Sequence, residues 1–370
     1  MKQGWELKEF EDCLDKVVYT EKIQRKDFLE DGEFPVISQE QNFINGYWND
    51  SDAVFKIKKP VVIFGDHTQV LKYVDFDFVL GADGVKILQP IDGIKAKYLF
   101  YYLNSVNLKS LGYARHYRLL KEIQVPIPPI PEQQRIVSVL DEAFASIAQA
   151  KANAERNLVN ARELFESVLG MAFDKNWEEK RLDEICEVKD GTHDTPQYIE
   201  DGIPFVTQKN IREDGLSFSE TKFIALSDHE KYYKRSNVSF GDILISMIGA
   251  NRGMACIVDD ERVISIKNVG LIKSSKNINQ AYLLYFLKSP KAKKYVSAAS
   301  KGGAQEFVGL TELRKFPILL APLTEQRAIV ARLKALSAET GRLEAVYRQK
   351  IAALEELKKS VLAKAFEGSL

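Results

Sequence analysis

The sequence predicts an α+β protein in which two mixed α/β domains are separated by two long helices packed as an antiparallel coiled coil. The main observation is that Pro131–Phe173 and Thr324–Phe366 match each other without insertion or deletion. One inserted residue would turn every later side chain by ~100° around a helix axis, so constant length is typical of helices. Both segments also carry apolar residues at heptad spacing, and the regions before them resemble each other. We therefore expect an internal pseudo-two-fold repeat.

The heptad pattern predicts which side of each helix faces the other. In the first helix the apolar positions are Val137, Leu140, Phe144, Ile147, Ala154, Leu158, Ala161, Phe165 and Val168, interrupted by Lys151. In the second they are Val330, Leu333, Leu336, Leu343, Val346, Ile351, Leu354 and Val361. Polar residues near Ser337, Thr340 and Glu344 interrupt this second seam, and we expect them to mark a face left for another protein.

The repeat includes the globular parts of the chain. The segment WELKEFEDC from Trp5 resembles WEEKRLDEIC from Trp177, which gives the order domain, helix, domain, helix. We place the first domain at 1–130, the central helix at 131–173, the second domain at 174–323 and the C-terminal helix at 324–370. β-type runs bounded by Gly, Asp and Asn alternate with short helices predicted at Ala96–Asn104 and Gln280–Lys288. The proline-rich lead Val125–Pro131 is expected to be extended, and to form neither helix nor central strand.

Composition points to a folded protein of the cytoplasm. The chain has 370 residues, 45% hydrophobic residues and a formal net charge of zero. It contains no apolar run of membrane-spanning length and does not begin with a signal-peptide pattern, so we expect a cytoplasmic location. Cys13, Cys186 and Cys256 are scattered, which predicts reduced thiols and neither a disulfide nor a zinc site.

Motifs for catalysis are missing from the sequence. It has no P-loop, no Gly-rich loop of the kind that binds S-adenosylmethionine or a dinucleotide, and no Asn-Pro-Pro-Tyr-like run. The histidines lie apart, without neighbouring ligands at metal-binding spacing. We therefore expect a protein that is not an enzyme and holds neither metal nor cofactor.

These features together resemble the specificity subunit of type I restriction–modification systems. The resemblance rests on the proline-rich lead, the Glu-Gln helix start, the Ser-Val-Leu-x-x-Ala-Phe helix end and the tandem repeat. Shorter motifs agree, and they are Gly65–Thr68, Gly112–Tyr117, Gly191–Pro196, Gly241–Ser246 and Lys301–Gln305. One departure is Gly-Gly-Ala-Gln where many relatives have Gly-Gly-Thr-Gln, which is expected to alter one local hydrogen bond.

The resemblance implies a protein that reads DNA and recruits enzymes. Each globular domain would be a target recognition domain for one half of a split site in double-stranded DNA, and the helices would set the spacing. Two modification subunits, which carry the methyltransferase chemistry and bind S-adenosylmethionine, would dock on the helices, and restriction subunits would join them. The residues expected at this docking surface are Glu132, Gln133, Arg135, Glu325, Gln326 and Arg327.

Candidate DNA contacts are polar loop residues, since base edges need donors and acceptors and phosphates need cations. In the first domain they are Gln39, Asn42, His67, Arg115, His116, Tyr117 and Arg118. In the second they are His193, Thr207, Gln208, Lys209, Asn210, Asn251, Arg252, Lys301, Gly302, Gly303 and Gln305. A solvated turn with Tyr117 in the core is the alternative for the Arg115–Arg118 cluster.

Other interpretations stay open. Asp66, Asp83, Asp190 and Asp194 could accept hydrogen bonds from cytosine amino groups, although turn formation is the favoured role. The run Lys288, Lys291, Lys293 and Lys294 is either a phosphate-facing edge or ordinary surface. A coiled-coil scaffold that joins protein partners without binding DNA is the main alternative function, and salt-dependent binding to duplex DNA would distinguish the two.

Overall fold

The structure, a computed structural model, describes residues 4–82, 84–112, 114–249, 251–299 and 308–367. The chain forms two compact units. The first unit comprises residues 1–155 and 348–370, and the second comprises residues 156–347. Each unit therefore contains one globular domain together with one end of each long helix.

The first domain combines short strands with one well-formed helix. Its strands are β1 (Glu6–Glu9), β2 (Lys22–Ile23), β3 (Phe34–Ile37), β4 (Gly46–Trp48), β5 (Val54–Phe55), β6 (Val61–Gly65), β7 (Leu71–Val74), β8 (Phe78–Gly81), β9 (Val85–Leu88) and β10 (Gln124–Ile127). Its helices are α1 (Ala96–Ser105) and α2 (Tyr117–Leu120), and the long helix α3 (Ile130–Ala172) follows. One sheet has the order β2-β8-β3-β4 with β5 also on β8, and another has the order β7-β6-β9. The fully buried strand β6 lies at the centre of the second sheet, as its continuous apolar sequence predicts.

The second domain uses more and shorter elements. Its strands are β11 (Glu178–Arg181), β12 (Val188–Asp190), β13 (Tyr198–Ile199), β14 (Ile203–Val206), β15 (Ile211–Arg212), β16 (Gly215–Leu216), β17 (Lys222–Ile224), β18 (Ile243–Ser246), β19 (Ala255–Ile257), β20 (Ser265–Ile266), β21 (Val269–Ile272) and β22 (Pro317–Leu320). Its helices are α4 (Leu182–Ile185), α5 (Leu226–Ser236), α6 (Gln280–Lys288), α7 (Pro290–Ala299), α8 (Leu310–Arg314) and the long α9 (Leu323–Glu367). The four-stranded sheets have the orders β12-β21-β18-β19 and β13-β17-β14-β20.

The repeat is visible where each domain meets its long helix. The proline-containing strands β10 and β22 each pair antiparallel with the strand that follows Trp5 or Trp177. These two-stranded ladders agree with the expectation that the proline lead avoids a central strand. The predicted short helices are confirmed as α1 and α6. Each contains a buried tyrosine whose hydroxyl bonds to the two-stranded ladder of its own domain. The Tyr98 hydroxyl donates to the Pro126 carbonyl at 2.6 Å, and the Tyr282 hydroxyl donates to the Leu319 carbonyl at 2.6 Å.

The predicted antiparallel arrangement of the long helices is confirmed in each unit. In the first unit, Leu140 near the start of α3 packs in one cluster with Leu362 near the end of α9. In the second unit, Phe173 just after α3 lies in the same core as Leu333 near the start of α9. The interruption of the first seam by Lys151 is compensated, because its ammonium pairs with the Glu355 carboxylate of α9.

The second seam differs from the prediction in its middle. Leu343 and Val346 were expected to face α3, but their exposed fractions are 37% and 56%. Thr340 is buried instead, with its hydroxyl donating to the Leu336 carbonyl at 3.0 Å, and Glu344 pairs with Arg162 of α3 at 3.0 Å. The expectation that Ser337, Thr340 and Glu344 mark a face left for another protein is wrong for Thr340 and Glu344, because both lie toward the neighbouring helix. Ser337 is exposed, and for it the expectation stays a prediction.

Candidate nucleic-acid interface

Loops of the first domain come together around the backbone that follows β3 and β6. The Gln39 side-chain oxygen accepts from the backbone N–H of His67 at 3.1 Å, and the Thr68 hydroxyl donates to the Gln39 carbonyl at 2.6 Å. Gly84 passes close by with φ +71°, and a Cβ there would lie 2.8 Å from the His67 ring and 2.9 Å from the Gln39 side-chain oxygen. A side chain at position 84 would thus displace two of the predicted contact residues.

His116 has a structural role inside this loop cluster. Its side chain is buried, its Nε2 accepts from the Leu111 backbone N–H at 2.9 Å, and its Nδ1 lies 3.0 Å from the Asp66 carbonyl oxygen. These two contacts place the imidazole hydrogen on Nδ1. Asp66 also accepts the Tyr117 N–H at 2.7 Å through its carboxylate. The expectation that His116 contacts DNA is therefore corrected, and Asp66 takes the favoured turn-forming role.

The cations of this cluster remain at the surface. Arg115 and Arg118 are exposed, and Tyr117 is half-buried between them. The ammonium groups of Lys86 and Lys121 lie 5.2 and 5.7 Å from the centre of the Tyr117 ring. Burial raises the pKa of the Tyr117 hydroxyl, so the ring is neutral beside these charges. The sequence did not reveal Lys86 and Lys121, because only the fold brings them to Tyr117.

A buried lysine supports the loop that carries Asn42. Lys72 in β7 is 3% exposed, and its ammonium donates to the Asn42 carbonyl at 2.5 Å, the Phe43 carbonyl at 3.2 Å and the Asn45 side-chain oxygen at 2.9 Å. Burial lowers the pKa of Lys72 to about 8, because the charged form is poorly solvated there. The Asn42 side chain itself is exposed.

In the second domain, the polar run after β14 divides into supporting and exposed residues. The Asn210 side-chain oxygen accepts the Thr207 N–H at 2.8 Å, and its amide donates to the Ser217 carbonyl at 3.0 Å. Asn210 is buried by these contacts, which corrects its expected role as a DNA contact. Gln208 is partly exposed and accepts from the Ser246 hydroxyl at 3.4 Å, whereas Lys209 is exposed.

His193 is oriented by two hydrogen-bonding neighbours. Its Nδ1 lies 2.7 Å from the Asn268 side-chain oxygen, and its Nε2 lies 3.1 Å from the Asp190 carboxylate. Asp190 is buried and also receives Arg235, whose Nη2 lies 2.7 Å from one carboxylate oxygen and 2.8 Å from the other. Asn268 has φ +53°, a left-handed backbone conformation that among non-glycine residues asparagine tolerates well. Sequence reasoning missed Arg235, which lies in the last turn of α5, and Asn268, which lies between β20 and β21, because only the fold brings them to His193.

Backbone bonds bring the remaining candidates of this domain near one another. The Lys267 N–H donates to the Val206 carbonyl at 2.9 Å, and the Asn268 N–H donates to the Thr192 carbonyl at 3.1 Å. The loops that carry Gln208 and His193 are therefore linked through β20. Asn251 is exposed, and the Arg252 guanidinium donates to the Gly249 carbonyl at 3.2 Å.

Some predicted residues fall outside the described part of the chain. These are Asp83, Lys301, Gly302, Gly303 and Gln305. Within the described ranges, no group of three or more His, Cys, Asp or Glu side chains is placed to hold a metal ion. Among the described helices, none has the length and apolar character needed to cross a membrane.

The glutamines expected to contact partners are buried within their own units. Gln133 is 0% exposed; its oxygen accepts the Lys95 N–H at 2.9 Å, and its amide donates to the Gly93 and Pro128 carbonyls at 2.9 Å. Gln326 is 1% exposed, accepts the Asn279 N–H at 2.8 Å and donates to the Ala321 carbonyl at 2.7 Å.

Lys95 and Asn279 directly precede α1 and α6, so each glutamine ties a short helix to the start of a long one. We correct their role to that of positioning residues, and we call these contacts the glutamine locks. The charged neighbours stay at or near the surface: Arg135 pairs with Glu132 at 2.7 Å, Glu325 lies 3.8 Å from Lys175, and Arg327 is exposed.

Comparison with known proteins identifies relatives along nearly the whole chain. A family model described as the type I restriction modification DNA specificity domain matches residues 2–156 and 174–355. The EcoKI specificity subunit of Escherichia coli strain K12 is 23% identical, with 94% of this chain and 85% of that subunit covered. The EcoBI specificity subunit of Escherichia coli is 25% identical over 73% of this chain, and the match spans only 64% of its length, under two-thirds.

Solved structures share the fold. The crystal structure of the HsdS subunit from Thermoanaerobacter tengcongensis aligns with a TM-score of 0.61 at 17% identity, covering 100% of this chain and 98% of that one. A chain from a structure of the type I R-M system, concerned with complex assembly and conformational transition, aligns with a TM-score of 0.75 at 18% identity. That alignment covers 100% of this chain and 99% of the other.

Replacement of Gln133 tests the first glutamine lock. Gln133→Leu would remove the hydrogen bonds to the Lys95 N–H and the Gly93 carbonyl and leave the buried Pro128 carbonyl without this partner, which should lower the free energy of unfolding by about 3 kcal/mol. The adjacent, exposed Gln134 offers a matched control, because Gln134→Leu should change the free energy of unfolding by less than about 0.5 kcal/mol. Denaturant unfolding of the full chain measures both, and hydrogen exchange at the start of α1 localises the effect. Equal stability of the two variants would refute the lock.

The pKa of Lys72 predicts a pH-dependent stability of the first domain. The ammonium loses its proton near pH 8 in the native protein and near its ordinary value of 10.5 in the unfolded chain. Between these values the unfolded state binds more protons, so the free energy of unfolding rises with pH. Relative to a Lys72→Met variant, the wild type should gain about 2 kcal/mol between pH 7 and 9.5. If the difference in the free energy of unfolding between wild type and Lys72→Met does not change with pH, the pKa of Lys72 is not lowered by burial in the native protein.

Proposed function

The chain belongs to the type I restriction–modification DNA specificity family, and from that membership we propose that it selects the DNA sequence on which a type I complex acts. Each globular domain reads one half of a bipartite target in double-stranded DNA. The observation that carries this proposal is the convergence of polar loops in each domain. Gln39, His67 and Arg115 lie in linked loops of the first domain, and Gln208 and His193 lie in linked loops of the second.

The chemistry of these loops suits duplex DNA. Exposed cations such as Arg115, Arg118 and Lys209 can contact phosphates, while amide and imidazole groups can reach base edges. The formal net charge of zero means that affinity depends on these local patches and on partner subunits. Binding is therefore expected to weaken steeply as salt concentration rises.

The long helices set the spacing of the two half-sites. Two DNA readers must be held at a fixed distance and rotation to reach grooves on one side of a duplex. A flexible linker would let both vary, whereas a paired helix of fixed length does not. The glutamine locks support this role, because they fix each domain to the start of its helix at a buried, hydrogen-bonded contact.

The chain works with catalytic partners and is not itself an enzyme. Two modification subunits dock on the helices and domain flanks, supply the methyltransferase chemistry and hold S-adenosylmethionine, and restriction subunits join the assembly in the cytoplasm. The pseudo-two-fold repeat supports two identical partners, since each would meet a similar surface. Glu132, Arg135, Glu325 and Arg327 are the proposed contacts near the helix starts.

Methylation mapping tests this function. Genomic DNA is sequenced for methylated bases from cells that make the modification subunit with and without this chain. We expect one asymmetric, bipartite motif that disappears without the chain. Exchange of residues 5–130 for the corresponding domain of a relative should then change one half-site and leave the other half-site unaltered. If the modification subunit is active but no methylated motif depends on this chain, the result would favour the alternative that the chain is a scaffold that does not bind DNA.

A further inference from the structure

We propose that Phe43 and Ile44, at the apex of the loop between β3 and β4, form an apolar contact with the bases of the half-site read by the first domain. The proposal rests on the proposed function and extends it to residues that the sequence did not single out. Both side chains stand out of the domain, with exposed fractions of 45% and 39%. Contiguous exposed apolar surface can mark a binding site, and the neighbouring polar loops are what favour that interpretation for this pair.

The polar backbone of the apex is turned inward. The carbonyls of Asn42 and Phe43 both accept from the buried Lys72 ammonium. The Asn45 side chain completes this support, since its oxygen accepts from Lys72 at 2.9 Å and from the Ser38 N–H at 2.8 Å, and its amide donates to the Asn42 carbonyl at 3.1 Å. We call this arrangement the lysine clamp. It leaves the exposed side chains of Asn42, Phe43 and Ile44 as the outward part of the loop, and the last two are apolar.

The lysine clamp also gives the apex the charge that DNA favours. Carbonyl oxygens at a loop tip would repel phosphates, but here the two carbonyls are bonded to an ammonium beneath the loop. The cost is a buried cation whose hydrogen bonds go to neutral acceptors; burial lowers the pKa of Lys72, and the Glu40 carboxylate of the same loop partly opposes that shift. Glu40 is itself paired with Arg25 at 3.1 Å, so its charge is offset at the surface. A loop held in this way presents a stiff apolar tip over a positive charge, a combination suited to a polyanion with apolar bases between its phosphates.

Continuity with the candidate interface favours DNA over a protein partner. The same loop begins with Gln39, whose side chain and carbonyl bond to His67 and Thr68 of the neighbouring loop. Phe43 meets Phe76 edge-to-face at 6.0 Å, which supports one side of its ring and leaves the remainder accessible. Apolar side chains contact thymine methyl groups in the major groove and wedge between base steps in the minor groove, and both contacts use the same chemistry.

The test is methylation mapping of the assembled complex with a Phe43→Ala/Ile44→Ala chain. We expect methylation of the wild-type motif to fall about tenfold or the motif to lose discrimination at one or two positions, in one half-site alone. The control is Val18→Ala/Leu29→Ala, which removes exposed apolar side chains from the same domain and should leave motif and rate unchanged. Ile44→Asp retains the Phe43–Phe76 contact and should abolish methylation through repulsion of the phosphates.

Each result decides between the possibilities. An unchanged motif and rate in both Phe43→Ala/Ile44→Ala and Ile44→Asp overturns the proposal while leaving the proposed function intact. Loss of modification-subunit binding on a size-exclusion column, with DNA affinity unchanged, would assign the apex to a protein partner and also overturns it. If methylation mapping with the wild-type chain finds no motif that depends on the chain, both the proposed function and this inference are wrong.

Discussion

A buried glutamine at the start of each long helix holds that helix to the domain before it, and the rest of the structure depends on this contact. The side-chain oxygens of Gln133 and Gln326 accept from the backbone N–H just before a short helix. Their amides donate to a carbonyl just before the long helix, that of Pro128 or Ala321. A second contact comes from the opposite long helix, where Phe366 packs on Tyr98 with ring centres 5.5 Å apart and Phe173 packs on Tyr282 at 5.2 Å. Each domain is thus fixed to the ends of both helices within its unit.

This frame is repeated while the recognition surfaces differ. The ladders β1–β10 and β11–β22, the short helices α1 and α6 and the locks recur in both halves. The sheets beyond them have different strand orders, and their loops are supported by different groups, a buried lysine in one domain and an Asp190–Arg235 pair in the other. Under the proposed function, a constant frame with variable loops would let the domain read a new DNA sequence without altering how the domain is held.

The frame was largely predictable from the sequence because fixed length and heptad spacing are local properties. The long helices follow from these two properties, while α1, α6 and the strand β6 follow from short apolar runs, which are equally local. The roles of His116, Asn210 and Lys72 were not predictable, since their burial depends on loops distant in sequence that only the fold brings together. In α9 the prediction placed Leu343 in the seam because a heptad assignment favours apolar residues. Thr340 packs there instead, since its hydroxyl donates to the Leu336 carbonyl of the same helix and can therefore be buried.

The most direct measurement is the half-site spacing read by a chain with one extra heptad in each long helix, inserted beside the Lys151–Glu355 pair so that the seam stays in phase. Seven residues add about 10 Å of helix, equivalent to about three base pairs of DNA. Methylation mapping should show both half-site sequences unchanged, a spacer about three base pairs longer and weaker methylation, because three base pairs also turn one half-site by about 100° relative to the other. An unchanged spacer, with both half-sites still recognised, would contradict the role of the helices as the element that sets the distance.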